Sequence, residues 1–270
     1  MSDALRTQLL AALSDSQTKA SGFADGYLLH ERQKMNREIA NSTKVLAFDV
    51  FGTVVDWHKS IMREVRSMNL NVESNEFALA WRAGYAPAMQ RVMSGELGWT
   101  SVDRLHRMIL DDLLDTFKVT HLSEDEKRHL NKAWHRLEAW PDTVEGLTRL
   151  KSRYTICTLS NGNIGLLTNM AKYASLPWDC ILSAEVFHKY KPDPATYLGV
   201  AQIFDVDPNE VMMVATHQDD LEHAHACGLK TAYIERPQEF GPFQQKDVSP
   251  HAENTLHAKN MVELAAALGC

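Results

Sequence analysis

The chain contains no apolar run approaching the roughly 18 residues of a membrane span, and its N-terminus mixes acids and bases without an apolar signal core. A soluble, cytoplasmic protein is therefore expected. It also lacks any long run of lysine or arginine, and its formal charge is −7. That removes the electrostatic case for nucleic acid or an anionic membrane as a partner. The four cysteines, Cys157, Cys180, Cys227 and Cys270, form no CxxC pair and no zinc-ligand spacing. Free thiols in a chain with enough core to do without disulfides suit a reducing compartment. Small-molecule chemistry is the starting expectation.

What the chain does contain is 44% apolar and 23% charged residues over 270 positions, enough for one full core and a smaller second one. Residues 1–43 read as a helix-bearing extension, with an apolar stretch at Leu9–Leu13 and a charged run from His30 to Glu38. Lys44–Phe48 is a short apolar run stopping at Asp49 and Gly52, the pattern of a buried parallel strand that ends at a tight loop. From Ile61 to Trp140 no comparable strand is expected. Helices are predicted there over Phe77–Met93, Asp103–Phe117 and Glu124–Leu137, the last opened by Ser123 and Glu126 at capping-box spacing.

After Pro141 short apolar runs alternate with helical segments: Thr155–Leu159, Cys180–Ser183, Val211–Ala215 and Thr231–Ile234. This alternation predicts an α/β fold with a doubly wound parallel sheet, in three parts. Residues 44–60 and 141–270 form a Rossmann-like core, 61–140 an inserted all-helical cap, and 1–43 the extension. Ligands of open parallel sheets bind beyond the strand C-termini. There the sequence places Asp49, Ser160–Asn161 and the run Thr216–Asp220.

The ordered set Asp49-Val-Phe-Gly-Thr53, Ser160-Asn161-Gly162, Lys191-Pro192-Asp193-Pro194 and Asp219-Asp220 resembles the haloacid dehalogenase (HAD) superfamily over roughly residues 44–236. Trp81-Arg82 early in the insertion and Tyr197 after the Lys-Pro-Asp-Pro segment are similar to its type II (S)-2-haloacid dehalogenases. Superfamily phosphatases usually carry a second aspartate at position 51, where this chain has Phe51. Their Gly-Asp at the third strand end is replaced by Ala215-Thr216-His217-Gln218. Both changes remove groups that magnesium-dependent phosphoryl transfer uses.

The resemblance implies hydrolytic dehalogenation of short (S)-2-haloacids to (R)-2-hydroxyacids through an aspartyl ester, without metal or other cofactor. Asp49 would be the nucleophile; alone, an Asp-x-x-Gly is more often a turn aspartate. Thr53 would aim its carboxylate, or else N-cap the next element. Ser160 and Asn161 would offer hydroxyl, amide and backbone donors to the substrate carboxylate or the halide. Lys191 would keep Asp49 ionised, and Tyr197 would steady a carboxylate through its hydroxyl. Arg82 would reach from the cap to receive the halide, with Phe51 and Trp99 as the apolar wall.

Where the type II family usually shows Ser-Ser-Asn, this chain has Ala215-Thr216-His217. His217, with Asp220, is accordingly expected to activate the water that cleaves the ester. Asp219, His223 and His225 invite a metal reading, but the two histidines fall on different faces of a helix, and no metal is expected. The competing functions are a magnesium-dependent phosphatase or phosphonate hydrolase on the same scaffold, and a non-catalytic binding module. The resemblance also implies a homodimer.

Overall fold

The structure, a computed structural model, describes residues 30–31 and 33–270. The Leu9–Leu13 stretch lies outside the described residues. The described part of the charged run that begins at His30 is helical (α1, 33–41) and leads into strand β1, Val45–Phe48. The insertion that follows opens with the two-residue strand β2 (Val55–Asp56) and continues through α2 (Trp57–Ser67), α3 (Ser74–Ala83), α4 (Tyr85–Met93), α5 (Val102–Thr116) and α6 (Glu124–Asn131). A 3-10 turn over Lys132–His135 and strand β3 (Glu138–Ala139) close it.

β2 and β3 pair antiparallel, so the two ends of the helical insertion are tied together at its base. This pair was not expected, because two residues carry no readable period. The helix predicted over Phe77–Met93 is two helices. The break is at Gly84, where an added Cβ would lie 2.6 Å from Ile109 Cγ2 on α5. The helix predicted over Glu124–Leu137 ends at Asn131 and tightens into the 3-10 turn. Its Ser123–Glu126 capping box is present. The boundary expected between residues 60 and 61 falls inside α2.

The rest of the chain runs α7 (Thr143–Lys151), β4 (Thr155–Ser160), α8 (Ile164–Tyr173), β5 (Cys180–Ser183), α9 (Ala184–Phe187), α10 (Pro194–Phe204), β6 (Val211–Ala215), α11 (Gln218–Ala226), β7 (Lys230–Ile234), β8 (Leu256–Ala258) and α12 (Met261–Ala267). Among the described residues the main sheet has six parallel strands in the order β5-β4-β1-β6-β7-β8. Strand β8 was not expected, since Leu-His-Ala is too short to register as an apolar run.

Side chains of β1 alternate between two cores: Leu46 and Phe48 pack with α7, α8 and α12, while Val45 and Ala47 pack with α10 and α11. Burial on both faces is why the strands read as continuous apolar runs. β1 sits between β4 and β6, so the chain crosses to opposite sides of it. The crevice at such a switch point, beyond the strand C-termini, is where ligands bind in open α/β sheets. The helical insertion, leaving just after β1, arrives over that crevice. Among the described residues no helix is long and apolar enough to cross a membrane.

Candidate active site

Asp49 directly follows β1, and its amide still donates to Val214 O at 3.0 Å, which fixes the backbone up to the carboxylate. Gly52, at φ +85°, then turns the chain back. The Thr53 hydroxyl donates to Asp49 Oδ2 at 2.8 Å and itself accepts from the Thr216 amide at 3.0 Å. The amide thus leaves the hydroxyl proton only the carboxylate to go to. The N-cap of α2 is Asp56, so Thr53 is not spent on capping.

Lys191 Nζ lies 3.1 Å from Asp49 Oδ1 and 2.5 Å from Asp220 Oδ2. Asp220, in the first turn of α11, accepts from Tyr197 Oη through Oδ1 at 2.7 Å. Burial alone would raise the Asp49 carboxyl. The Lys191 charge, the His217 ring and the Thr53 hydroxyl outweigh it and hold Asp49 well below the usual carboxylate range. Asp220 moves the other way, raised by burial and by the charge of Asp49 despite Lys191. Lys191 is raised, because the two carboxylates overcome its burial.

Asn161 was expected to donate to the substrate or the halide, and Tyr197 to steady a carboxylate through its hydroxyl. The Asn161 side-chain amide clamps the Lys191 backbone, and the buried Tyr197 hydroxyl donates to Asp220. Both residues line the cavity. Ser160 Oγ accepts from the Gly162 amide at 3.2 Å and keeps its own proton available at the cavity edge.

His217, at the start of α11, has Nδ1 3.1 Å from Asp49 Oδ2 and Nε2 2.8 Å from Glu239 Oε1. Burial would lower its pKa, but Glu239 and Asp49 raise it to about 9. Glu239 is fully buried, accepts from Lys246 Nζ at 2.7 Å, and is held down to about 2, its burial outweighed by His217 and Lys246. Lys246 Nζ also donates to Thr216 O at 2.5 Å. Sequence reasoning missed Glu239 and Lys246, which sit in an aperiodic loop after β7. The one signal is Gly52, where an added Cβ would lie 2.2 Å from Glu239 Oε1.

Asp49, Ser160, Lys191, His217 and Asp220 line a cavity of about 330 Å³ roofed by Arg82, Tyr85, Met89 and Met93 of α3 and α4. Phe51 forms its apolar wall, packed against Trp134 at 5.9 Å between ring centroids. The Arg82 guanidinium carbon lies 4.7 Å from the Tyr85 ring centroid, and the buried Arg82 Nε has no hydrogen-bond partner among the described residues. Trp99 does not line the cavity. Its loop runs against 188–190, and the indole stacks on His188 at 5.3 Å and lies tilted against Tyr190 at 5.0 Å. It backs Tyr190, which does line the cavity.

The arrangement is a carboxylate stripped of its proton, beside a fixed ammonium, under an apolar and cationic roof. The chain is also similar to known proteins. A haloacid dehalogenase-like hydrolase model matches residues 43–228. (S)-2-haloacid dehalogenase 4A of Burkholderia cepacia is 32% identical over 243 residues, 84% of this chain and 100% of that protein. (S)-2-haloacid dehalogenase 1 of Pseudomonas sp. (strain CBS-3) is 30% identical, over 73% of this chain and 88% of its own. The crystal structure of the defluorinating L-2-haloacid dehalogenase Rha0230 superposes with a TM-score of 0.82 at 43% identity, covering 84% of this chain and 96% of its own. Fold, site and relatives converge, and the chain belongs to the haloacid dehalogenase-like hydrolases, in the branch of the (S)-2-haloacid dehalogenases.

Proposed function

We infer that this pocket displaces the halogen of short (S)-2-haloacids and hydrolyses the resulting ester to (R)-2-hydroxyacids. The observation that carries the reading is the state of the Asp49 carboxylate. Oδ2 is held by Thr53 and His217, while Oδ1 keeps only Lys191 and faces the cavity. Oδ1 is the free nucleophile, and its strongly lowered pKa keeps it unprotonated.

Attack of Oδ1 on C2, in line with the departing halide, inverts that centre. Arg82, always charged and with an unpaired Nε, receives the halide beneath the apolar roof. The Ser160 hydroxyl takes the substrate carboxylate. Water then attacks Cγ of Asp49, and the hydroxyacid leaves with Oδ1, so the inverted centre is not touched again. Asp220, more basic than an ordinary aspartate, takes the proton from that water.

A phosphatase reading needs an acid at position 51, and the Phe51 ring there is packed between Tyr85 and Trp134. The core and cap division, with the cap running from α2 to the 3-10 turn, belongs to the same reading. So does pairing into a homodimer, the habit of this family. Cytoplasmic placement is supported by four free cysteines. Halide release from separate (S)- and (R)-2-chloropropionate in chelator, with Asp49→Asn as control, tests the function. Release from the (S) form alone, lost in the variant, supports it. Release from neither, with magnesium-dependent phosphate release instead, overturns it.

A further inference from the structure

The two ring nitrogens of His217 face two carboxylates, Asp49 on the Nδ1 side and Glu239 on the Nε2 side. An ionised carboxylate only accepts hydrogen bonds. Both contacts are satisfied only when both nitrogens carry protons. We propose that His217 is a doubly protonated donor that holds the oxyanion formed when water attacks the Asp49 ester, and that Glu239 is the positioning residue that keeps it so. This rests on the ester reading above and departs from the expectation that His217 is the base.

The geometry follows from which oxygen reacts. Because Oδ1 becomes the ester oxygen, Oδ2 is left as the ester carbonyl, still facing Thr53 Oγ1 and His217 Nδ1. Water adds to Cγ, the Cγ–Oδ2 π pair moves onto Oδ2, and the water proton passes to Asp220. The hydroxyl of Thr53 and the Nδ1 proton of His217 hold the negative oxygen. When the carbonyl re-forms, the Cγ–Oδ1 bond breaks, and the departing alkoxide takes the proton from Asp220. The new Asp49 carboxyl loses its proton to solvent, restoring the resting carboxylate.

Glu239 matters most in the ester itself. Alkylation removes the charge of Asp49, one of the two carboxylates in contact with His217. Glu239, fully buried and held ionised by Lys246, is the one that remains. The other charges near Asp49, Lys191 and Asp220, form their own pair 2.5 Å apart and largely cancel. Without Glu239 the imidazole would be buried beside a neutral ester, and burial would strip its second proton. A base, by contrast, needs a free nitrogen lone pair, and neither nitrogen has one here.

The test follows ester decay in the full-length protein after rapid mixing with (S)-2-chloropropionate, reading the propionate adduct on intact protein by mass. With His217→Ala the ester is expected to accumulate and decay about 10²–10³-fold more slowly, the cost of losing one oxyanion donor. His217→Asn, which keeps a donor but cannot act as a base, is expected to recover about tenfold or more of that loss. With Glu239→Gln, decay is expected to slow as pH rises through a lowered histidine pKa. Asparagine no better than alanine, or Glu239→Gln decay that quickens with rising pH, would overturn the proposal in favour of a base. An absence of ester in every form, wild type included, would instead overturn the dehalogenase reading and this proposal with it.

Discussion

Asn161 and Lys191 hold each other through two hydrogen bonds: the Lys191 amide donates to Asn161 Oδ1 at 2.8 Å, and Asn161 Nδ2 donates to the Lys191 carbonyl at 3.4 Å. The side chain at the end of β4 thereby fixes the peptide whose ammonium sits between Asp49 and Asp220. Asn161→Ala frees that peptide without touching the carboxylates. Misplacing a catalytic group by an ångström costs on the order of 10²-fold. We expect kcat/KM for (S)-2-chloropropionate to fall ten- to hundredfold (about 10–10²), with the far-ultraviolet circular dichroism unchanged. An unaltered kcat/KM would show that the clamp does not position Lys191.

Gly52 and Glu239 are matched by size. A Cβ at position 52 would meet Glu239 Oε1 at 2.2 Å, on a backbone at φ +85° that side chains rarely adopt. Gly52→Ala therefore strains the turn and pushes Glu239 off His217. The backbone strain alone costs about 1–3 kcal/mol, read as a lower denaturation midpoint. Ester hydrolysis should slow more than ester formation. A variant as stable and as fast as wild type would contradict the close fit.

The His217–Glu239 pair also gives stability a pH window. Glu239 is lowered from 4.5 to about 2, so its contribution is present above about 4.5 and is lost as pH falls through about 2. His217 is raised from 6.5 to about 9, so its contribution is complete below about 6.5 and is lost as pH rises through about 9. Asp49, lowered by Lys191 and His217 despite its burial, adds to the acid limb. Thermal unfolding should therefore show a plateau between roughly pH 4.5 and 6.5, with the alkaline limb shallower in His217→Ala. An alkaline limb identical in the variant would refute the assignment.

Much of this was legible because both-faces burial writes strands as apolar runs. β1, β4, β5, β6 and β7 stood out for that reason, and their ends carried Asp49, Ser160 and His217 to one place. Thr53 and Lys191 were legible through motif order, and both lie on the Asp49 carboxylate. The direction of a side chain was not legible. Nothing in the sequence says that the Asn161 side chain closes on the Lys191 backbone, or which carboxylate the Tyr197 hydroxyl reaches. Trp99 failed because loop 94–101 has no period to fix its path. Glu239 and Lys246 were invisible for the same reason, since a lone acid in an aperiodic loop acquires meaning only from what it touches, here His217 and Lys246.

The central claim is that Asp49 Oδ1 becomes the ester oxygen and water enters at Cγ. A single turnover with enzyme in excess over (S)-2-chloropropionate, run in heavy-oxygen water, tests it most directly. The account predicts unlabelled (R)-lactate and one heavy oxygen retained in the peptide that carries Asp49. Heavy oxygen in the first-turnover lactate, with Asp49 unlabelled, would mean that water attacks the substrate directly and would contradict the covalent mechanism.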